Sequence, residues 1–413
     1  MASRDRGARS DRSGSTRRQF LLGGAVAGVG AVTAIGIDAA LRTTPDTASA
    51  DAAASVPLNG DVTVPFYGAH QAGIDTAAQA HGVFLALDLL PSTNREGLRR
   101  MMRILTDDAA RMSQGQSALA DSEPELAVAP ARLTVTFGFG PGLVSRAGGA
   151  GPGWLAPLPP FGIDRLQPEY SNGDLLIQIA ADDPLTVAHA SRMMLKDTRS
   201  FATLRWTQQG FRRAHGSVKP GTTMRNLFGQ VDGTTNPEPG TADFDTVVWN
   251  TTDGWVAGGT GIVVRRIAMD LDKWDRLDRP GRDQSVGRYQ SNGAPLTGTS
   301  EFDEPDFDAK TAIGFPVIPE FSHLRRSRSD NPQERIFRRA FNYDDTPATG
   351  QISNAGLIFV SFQADIDRQF TPIQRRLDEL DLLNEWTIPI GSAVFAAPPG
   401  CAEGGYIGET LLT

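Results

Sequence analysis

Two pairs of apolar segments recur along this chain at nearly one spacing. Val83-Phe84-Leu85-Ala86-Leu87-Asp88-Leu89 is similar to residues 263–271, which end Ile267-Ala268-Met269-Asp270-Leu271. Leu176-Ile177-Gln178-Ile179-Ala180-Ala181-Asp182 is matched by residues 358–365, which end Phe362-Gln363-Ala364-Asp365. Asp88 and Asp182 lie 94 positions apart, and Asp270 and Asp365 lie 95 apart. A repeat of that length is a whole domain, not a solenoid unit. The repeated runs are short, apolar and rich in β-branched residues, as strands are, and Leu133-Thr134-Val135-Thr136-Phe137 adds an alternating one. Helices are expected over 94–112 and 369–380 from apolar spacing, and over 185–195 from the Asp183-Pro184 start signal. Strand–helix–strand units in tandem, with mostly antiparallel sheets, predict an α+β fold of two ferredoxin-like halves. Segments 141–170 and 275–320, rich in Gly, Pro, Asp and Ser, read as loops and insertions.

The N-terminus reads as an address. Thr16-Arg17-Arg18-Gln19-Phe20-Leu21-Leu22 sets an arginine pair before an apolar, small-residue run at 23–37, too short and too rich in Gly and Ala to span a membrane. Ala48-Ser49-Ala50 then offers a cleavage site before Asp51. This order predicts a twin-arginine signal peptide over 1–50, followed by halves at 51–240 and 241–413. The competing reading is a basic tail followed by a core helix. Export by this route delivers a protein outside the cytoplasm, either released or held in the cell envelope.

Charge and ligand supply narrow the chemistry. The 413 residues carry a net charge of −8. Residues 1–50 hold seven Arg and four Asp, so the mature chain is left at about −11. Such an acidic chain, with no basic stripe of interleaved aromatics, is not expected to bind nucleic acid. The single cysteine, Cys401, excludes an internal disulfide and any multi-thiolate metal site. With five histidines in all, metal chemistry must rest on very few ligands.

Three clusters stand out. In Phe228-Gly229-Gln230-Val231-Asp232-Gly233-Thr234-Thr235-Asn236-Pro237, glycines around Asp232 let the backbone turn tightly and approach a flat ligand. An ordinary Asp-Gly turn looks the same. In Pro319-Glu320-Phe321-Ser322-His323-Leu324-Arg325-Arg326, a histidine beside arginines suits metal ligation next to an anion, or a solvated surface. In Glu334-Arg335-Ile336-Phe337-Arg338-Arg339-Ala340-Phe341-Asn342-Tyr343, an arginine pair sits within an apolar, aromatic stretch. Burying it is costly unless it binds an anion or a carboxylate, and a strand-edge salt bridge is the plainer account.

Together these blocks resemble one family. Gly229-Gln230-Val231-Asp232-Gly233 matches the GxxDG motif of dye-decolourising peroxidases, and His323 and the Arg-Arg-x-Phe-Asn-Tyr stretch follow in the family's order. So do Tyr67-Gly68-Ala69-His70-Gln71-Ala72-Gly73-Ile74 and Gly356-Leu357-Ile358-Phe359-Val360-Ser361-Phe362-Gln363, giving a resemblance over roughly residues 60–400. It implies a dimeric α+β barrel type of fold with haem b in the C-terminal half. His323 would be the iron ligand, Asp232 and Arg338 would lie on the opposite, distal side, and Gly233, Thr234 and Thr235 would touch the haem. The 15-residue step from His323 to Arg338 departs from the family's spacing and leaves Arg339 as the alternative. Arg338, first of the pair after an apolar dipeptide, is preferred.

The implied activity is haem-dependent reduction of hydrogen peroxide through a high-valent iron intermediate, with oxidation of dyes or phenolic compounds. Asp232 would move the proton, Arg338 would stabilise charge on the departing oxygen, and a carboxylate outside the recognised motifs would orient His323. A carboxylate with an ordinary pKa of ~3.9 stays a base in acid, which predicts an acidic optimum. Leu357 and Phe359 are candidate pocket walls. His70, His81, His189 and His215 adjoin no arginine cluster and read as structural. The rival functions are deferrochelatase-like removal of iron from haem and non-catalytic haem binding. Partners are then peroxide, an organic reductant and the twin-arginine export machinery, with self-association left open.

Overall fold

The computed structural model describes residues 58–251 and 254–413, so the predicted signal peptide and its cleavage site lie outside the described residues. The first half runs β1 (His81–Leu89), α1 (Arg95–Ser113), β2 (Thr134–Phe139), α2 (Pro141–Arg146), β3 (Leu175–Ala181), α3 (Pro184–Thr198) and β4 (Ala202–Phe211). After α4 (Ala242–Val248), the second runs β5 (Thr260–Met269), α5 (Leu271–Asp275), α6 (Arg279–Val286), α7 (His323–Ser327), β6 (Phe337–Arg338), β7 (Phe341–Asp344), β8 (Ala355–Gln363), α8 (Phe370–Leu380) and β9 (Thr387–Ala397). A short α9 (Glu409–Leu412) follows.

The two halves repeat one topology. The first pairs its strands in the order β2-β3-β1-β4, and the second in the order β6/β7-β8-β5-β9. The repeated sequence segments are β1 and β3 in one half, β5 and β8 in the other, in equivalent places. β6 and β7 act as one edge strand: Phe337, Arg338, Phe341 and Asn342 face Phe362, Ser361, Ile358 and Leu357 in unbroken antiparallel register. An open sheet would leave two edges of unpaired backbone. Here Phe139 of β2 pairs with Ala396 of β9, and Phe211 of β4 pairs with Asn342 of β7, which closes the two halves into one barrel.

Side-chain alternation sorts the strands into two cores. On β1, Phe84 and Ala86 point into the barrel, while Val83, Leu85, Leu87 and Leu89 point outward. The outward set packs under α1 and α3. Asn94 caps α1 by accepting from Gly97 N, and Leu98, Met101, Met102, Leu105 and Ala109 form its buried stripe. Asp183 caps α3 by accepting from Leu185 N and Thr186 N. With both faces covered, the strands read as continuous apolar runs.

The outer face of the second half is built differently. Its helices after β5 are only 5 and 8 residues long, against 19 in α1. Its apolar cluster is small: Phe228, Met269, Trp274, Val286, Ala340, Leu357 and Trp386. Two stretches read as loops contain helices. α6 begins at the Asp278 cap, whose side chain accepts from Gly281 N, and ends at Gly287 with φ +83°; α2 lies within 141–170. Start and stop residues were present in both, but neither helix is long enough to display an apolar period.

Candidate active site

The loop between β4 and α4 carries Asp232 on a small hairpin. Asp232 N donates to Met224 O at 2.8 Å and Asn226 N donates to Gln230 O at 3.0 Å. Gly229 at the tip has φ +79°, and a Cβ there would lie 2.6 Å from Gln290 Nε2, so the motif's first glycine is required. Phe228 anchors the hairpin by stacking on Trp274, with ring centroids 4.5 Å apart.

Asp232 meets Arg338 directly, with Oδ1 2.8 Å from Arg338 Nη1. Both side chains are partly exposed, at 13% and 25%. Strand parity decides between the two arginines. Phe337, Phe341 and Tyr343 point into the barrel, and Arg339, in phase with them, is buried and donates to Thr76 O and to Gln79 Oε1. Arg338 and Ala340 point outward, toward the Asp232 loop. Burial pushes the Arg339 pKa down to about 9, helped by the nearby charges of Arg212 and Arg132. The period-two pattern of Phe337, Phe341 and Tyr343 was a signal in the sequence that would have separated the pair.

His323 opens α7, with Ser322 as the cap residue accepting from Arg325 N. Its Nδ1 lies 2.6 Å from Asp381 Oδ2. Asp381, buried at the end of α8, also accepts from Leu383 N at 3.0 Å. Burial disfavours the imidazolium, but the charge of Asp381 and its hydrogen bond outweigh it and raise the His323 pKa above its ordinary value; Arg338 and Asp232 exert smaller, opposed effects across the site. Among the described residues Nε2 has no hydrogen-bond partner, and the side chain is 32% exposed. Asp381 therefore holds the proton on Nδ1, so that Nε2 is the nitrogen that gives up its proton when the ring ligates a metal.

The remaining predicted residues divide. Thr234 Oγ1 donates to Glu301 Oε1 at 3.0 Å, as does Thr223 Oγ1 at 2.6 Å. Thr235 is exposed, and Gly233 has φ +126°. Leu357 packs with Phe228 and Ala340, with Phe359 against the same cluster. His70 stacks on Trp249 and bonds Gly258 O, while His189 pairs with Asp121 at 2.9 Å, so both are structural. Asp381 and Glu301 were missed because each reaches the site from a distant segment without a local motif.

A carboxylate-held imidazole with no partner on Nε2 among the described residues, within electrostatic reach of a carboxylate–guanidinium pair on an α+β barrel, fits a haem protein that acts on a small ligand. The N-terminal and C-terminal models of the Dyp-type peroxidase family match residues 71–212 and 223–402. A dye-decolorizing peroxidase of Thermobifida fusca is 36% identical over 98% of both chains. A deferrochelatase of Escherichia coli is 34% identical over 84% of this chain and 87% of its own. The crystal structure of a DyP-type peroxidase from Cellulomonas bogoriensis superposes with a TM-score of 0.84 at 51% identity, over 86% of this chain and 99% of that one. The chain belongs to the Dyp-type peroxidase family. Members of this family are haem enzymes, and the chain is accordingly a peroxidase whose substrates are hydrogen peroxide and a reductant.

Proposed function

We propose that Asp232 and Arg338 activate hydrogen peroxide in the pocket where His323 would hold the haem. The observation that carries this reading is the 2.8 Å ion pair between them, whose two charges are felt at the His323 imidazole, itself held through Nδ1 by Asp381. Bound haem supplies the redox-active iron, and His323 would be its protein ligand. Asp232 would accept a proton from one oxygen of peroxide and return it to the other, which can then leave as water, the two electrons for O–O cleavage coming from the haem group when it is bound. Arg338, paired with that carboxylate, holds its own charge where negative charge develops on that oxygen. Gly233 leaves room for a flat ring beside the turn, while the hydroxyl of Thr234 is engaged by Glu301. The test is an absorption spectrum of the haem-loaded protein before and after one equivalent of hydrogen peroxide. A Soret band that shifts and is restored by a reducing dye supports the reading; one indifferent to peroxide ends it.

The Escherichia coli relative's name supports a second reading, removal of iron from haem. Recovery of free protoporphyrin from the loaded protein would favour it, and dye turnover at constant haem content would not.

The leader reading extends to location. Arg17-Arg18, the apolar run and Ala48-Ser49-Ala50 support export by the twin-arginine route, which carries folded proteins and so suits cofactor loading before transport. Replacing both arginines by lysine should retain the protein in the cytoplasm, and the exported form should begin at Asp51.

A further inference from the structure

The ion pair between Asp232 and Arg338 is not the only grip that the Asp232 turn has on that arginine. Arg339 N donates to Val360 O at 2.8 Å, so in the antiparallel ladder Arg338, opposite Ser361, turns its own N–H and C=O away from β8. These two groups lie on an open strand edge, where unpaired backbone must find a partner. Asn236 supplies it. Its Oδ1 accepts from Arg338 N at 3.0 Å, and its Nδ2 donates to Arg338 O at 2.7 Å. A carboxamide presents one acceptor and one donor side by side, so it pairs here as a one-residue strand. Because an amide nitrogen only donates and a carbonyl oxygen only accepts, the amide can sit in one orientation.

Asn236 is also tied to the aspartate. Its backbone N donates to Gly233 O at 3.1 Å, closing a turn that begins beside Asp232. One five-residue segment, 232–236, thus holds Arg338 at both ends, the guanidinium through Asp232 and the main chain through Asn236. An arginine side chain is long and rotamer-rich, and a guanidinium tethered only at its tip could follow the carboxylate to several places. Fixing its root on the same turn leaves the pair one relative position. We propose that Asn236 is a positioning residue of the peroxide site, acting through Arg338 to set where the guanidinium stands relative to Asp232. The inference rests on the roles proposed above for those two residues.

The test uses the haem-loaded protein with Asn236→Ala, Asn236→Asp, Arg338→Leu and the double variant Asn236→Ala/Arg338→Leu. Three quantities are measured: haem per chain, the second-order rate of the Soret change with hydrogen peroxide, and the equilibrium affinity for cyanide. Asn236→Asp is nearly isosteric, keeps the acceptor for Arg338 N and turns the donor into a carboxylate oxygen that repels Arg338 O, so it remains informative if the alanine variant folds poorly. Both Asn236 variants should bind haem in parent proportion and lose about 10²-fold in the peroxide rate, the scale expected from misplacing a catalytic group by ~1 Å. Cyanide affinity should fall in Asn236→Ala and Arg338→Leu alike. In the Arg338→Leu background, Asn236→Ala should change neither quantity further, because the residue it positions is gone. Parent rates in both Asn236 variants, with Arg338→Leu slow, would overturn this inference alone. So would an Asn236→Ala effect that persists undiminished without Arg338. Parent rates in Arg338→Leu itself would remove the proposed role of the ion pair, and this inference with it.

Discussion

Asp381 Oδ2 stands 2.6 Å from His323 Nδ1, although 58 residues of chain separate the two. The contact joins the first residue of α7 to the end of α8, and Leu382 N bonds Phe321 O at 2.9 Å alongside it. Both segments are therefore locked before any cofactor enters, with the imidazole already in one tautomer. The partner is a carboxylate, so it also makes the ring a stronger electron donor than a backbone carbonyl would. Asp381→Asn should keep the fold while weakening haem binding by roughly 10- to 100-fold. Titration of the apo variant with haem, followed at the Soret band, measures this; unchanged affinity would show that the carboxylate does not tune the ligand.

Asp232→Asn removes the only proposed proton carrier without changing the volume of the side chain. Haem content should be unaffected, and the rate of reaction with peroxide should fall by about 10²- to 10⁴-fold. Stopped-flow mixing over a range of pH would show it, and a variant that reacts at the parent rate would reassign the proton transfer.

The two neighbouring arginines should separate by phenotype. Arg338→Leu should retain stability, because a partly exposed ion pair contributes little, and should lose peroxide reactivity. Arg339→Leu should do the reverse. It leaves Thr76 O and Gln79 Oε1 without their donor in a buried setting, at about 1–3 kcal/mol for each group. Thermal melting and peroxide kinetics on both variants would check this, and a slow but fully stable Arg339 variant would contradict it.

A carboxyl pair between α1 and α3 predicts a pH effect on stability. Burial, then the charge and hydrogen bond of Asp108, push the Asp197 pKa up to about 7, against the smaller pull of Lys196 and Arg199. Asp108 is itself buried and accepts from Leu119 N at 2.8 Å. A folded pKa above the unfolded one means that the fold favours the protonated acid. The stabilisation is complete below the unfolded value and is lost as pH rises through about 7. Asp197→Asn should accordingly exceed the parent's melting temperature by less at pH 5 than at pH 8. Parallel melting curves at the two pH values would disprove a shared proton.

Much of this protein follows from local pattern. The repeated strands, the Asn94 and Asp183 caps, and the glycines around Asp232 are each specified by neighbours within a few residues. They suffice for two ferredoxin-like halves and for a motif that names its family. Even the facing of Arg338 and Arg339 was written in the alternation of Phe337, Phe341 and Tyr343, since a strand turns successive side chains to opposite sides. Pairings across long loops are another matter. The carboxylate of Asp381 behind His323, that of Glu301 beneath Thr234, and the closure of β4 onto β7 that brings the Asp232 loop over the edge strand have no local signature. Each depends on which surfaces the two halves bury against one another, and that is a property of the packed barrel, where the energy of a contact is set by distance in space and not by distance along the chain.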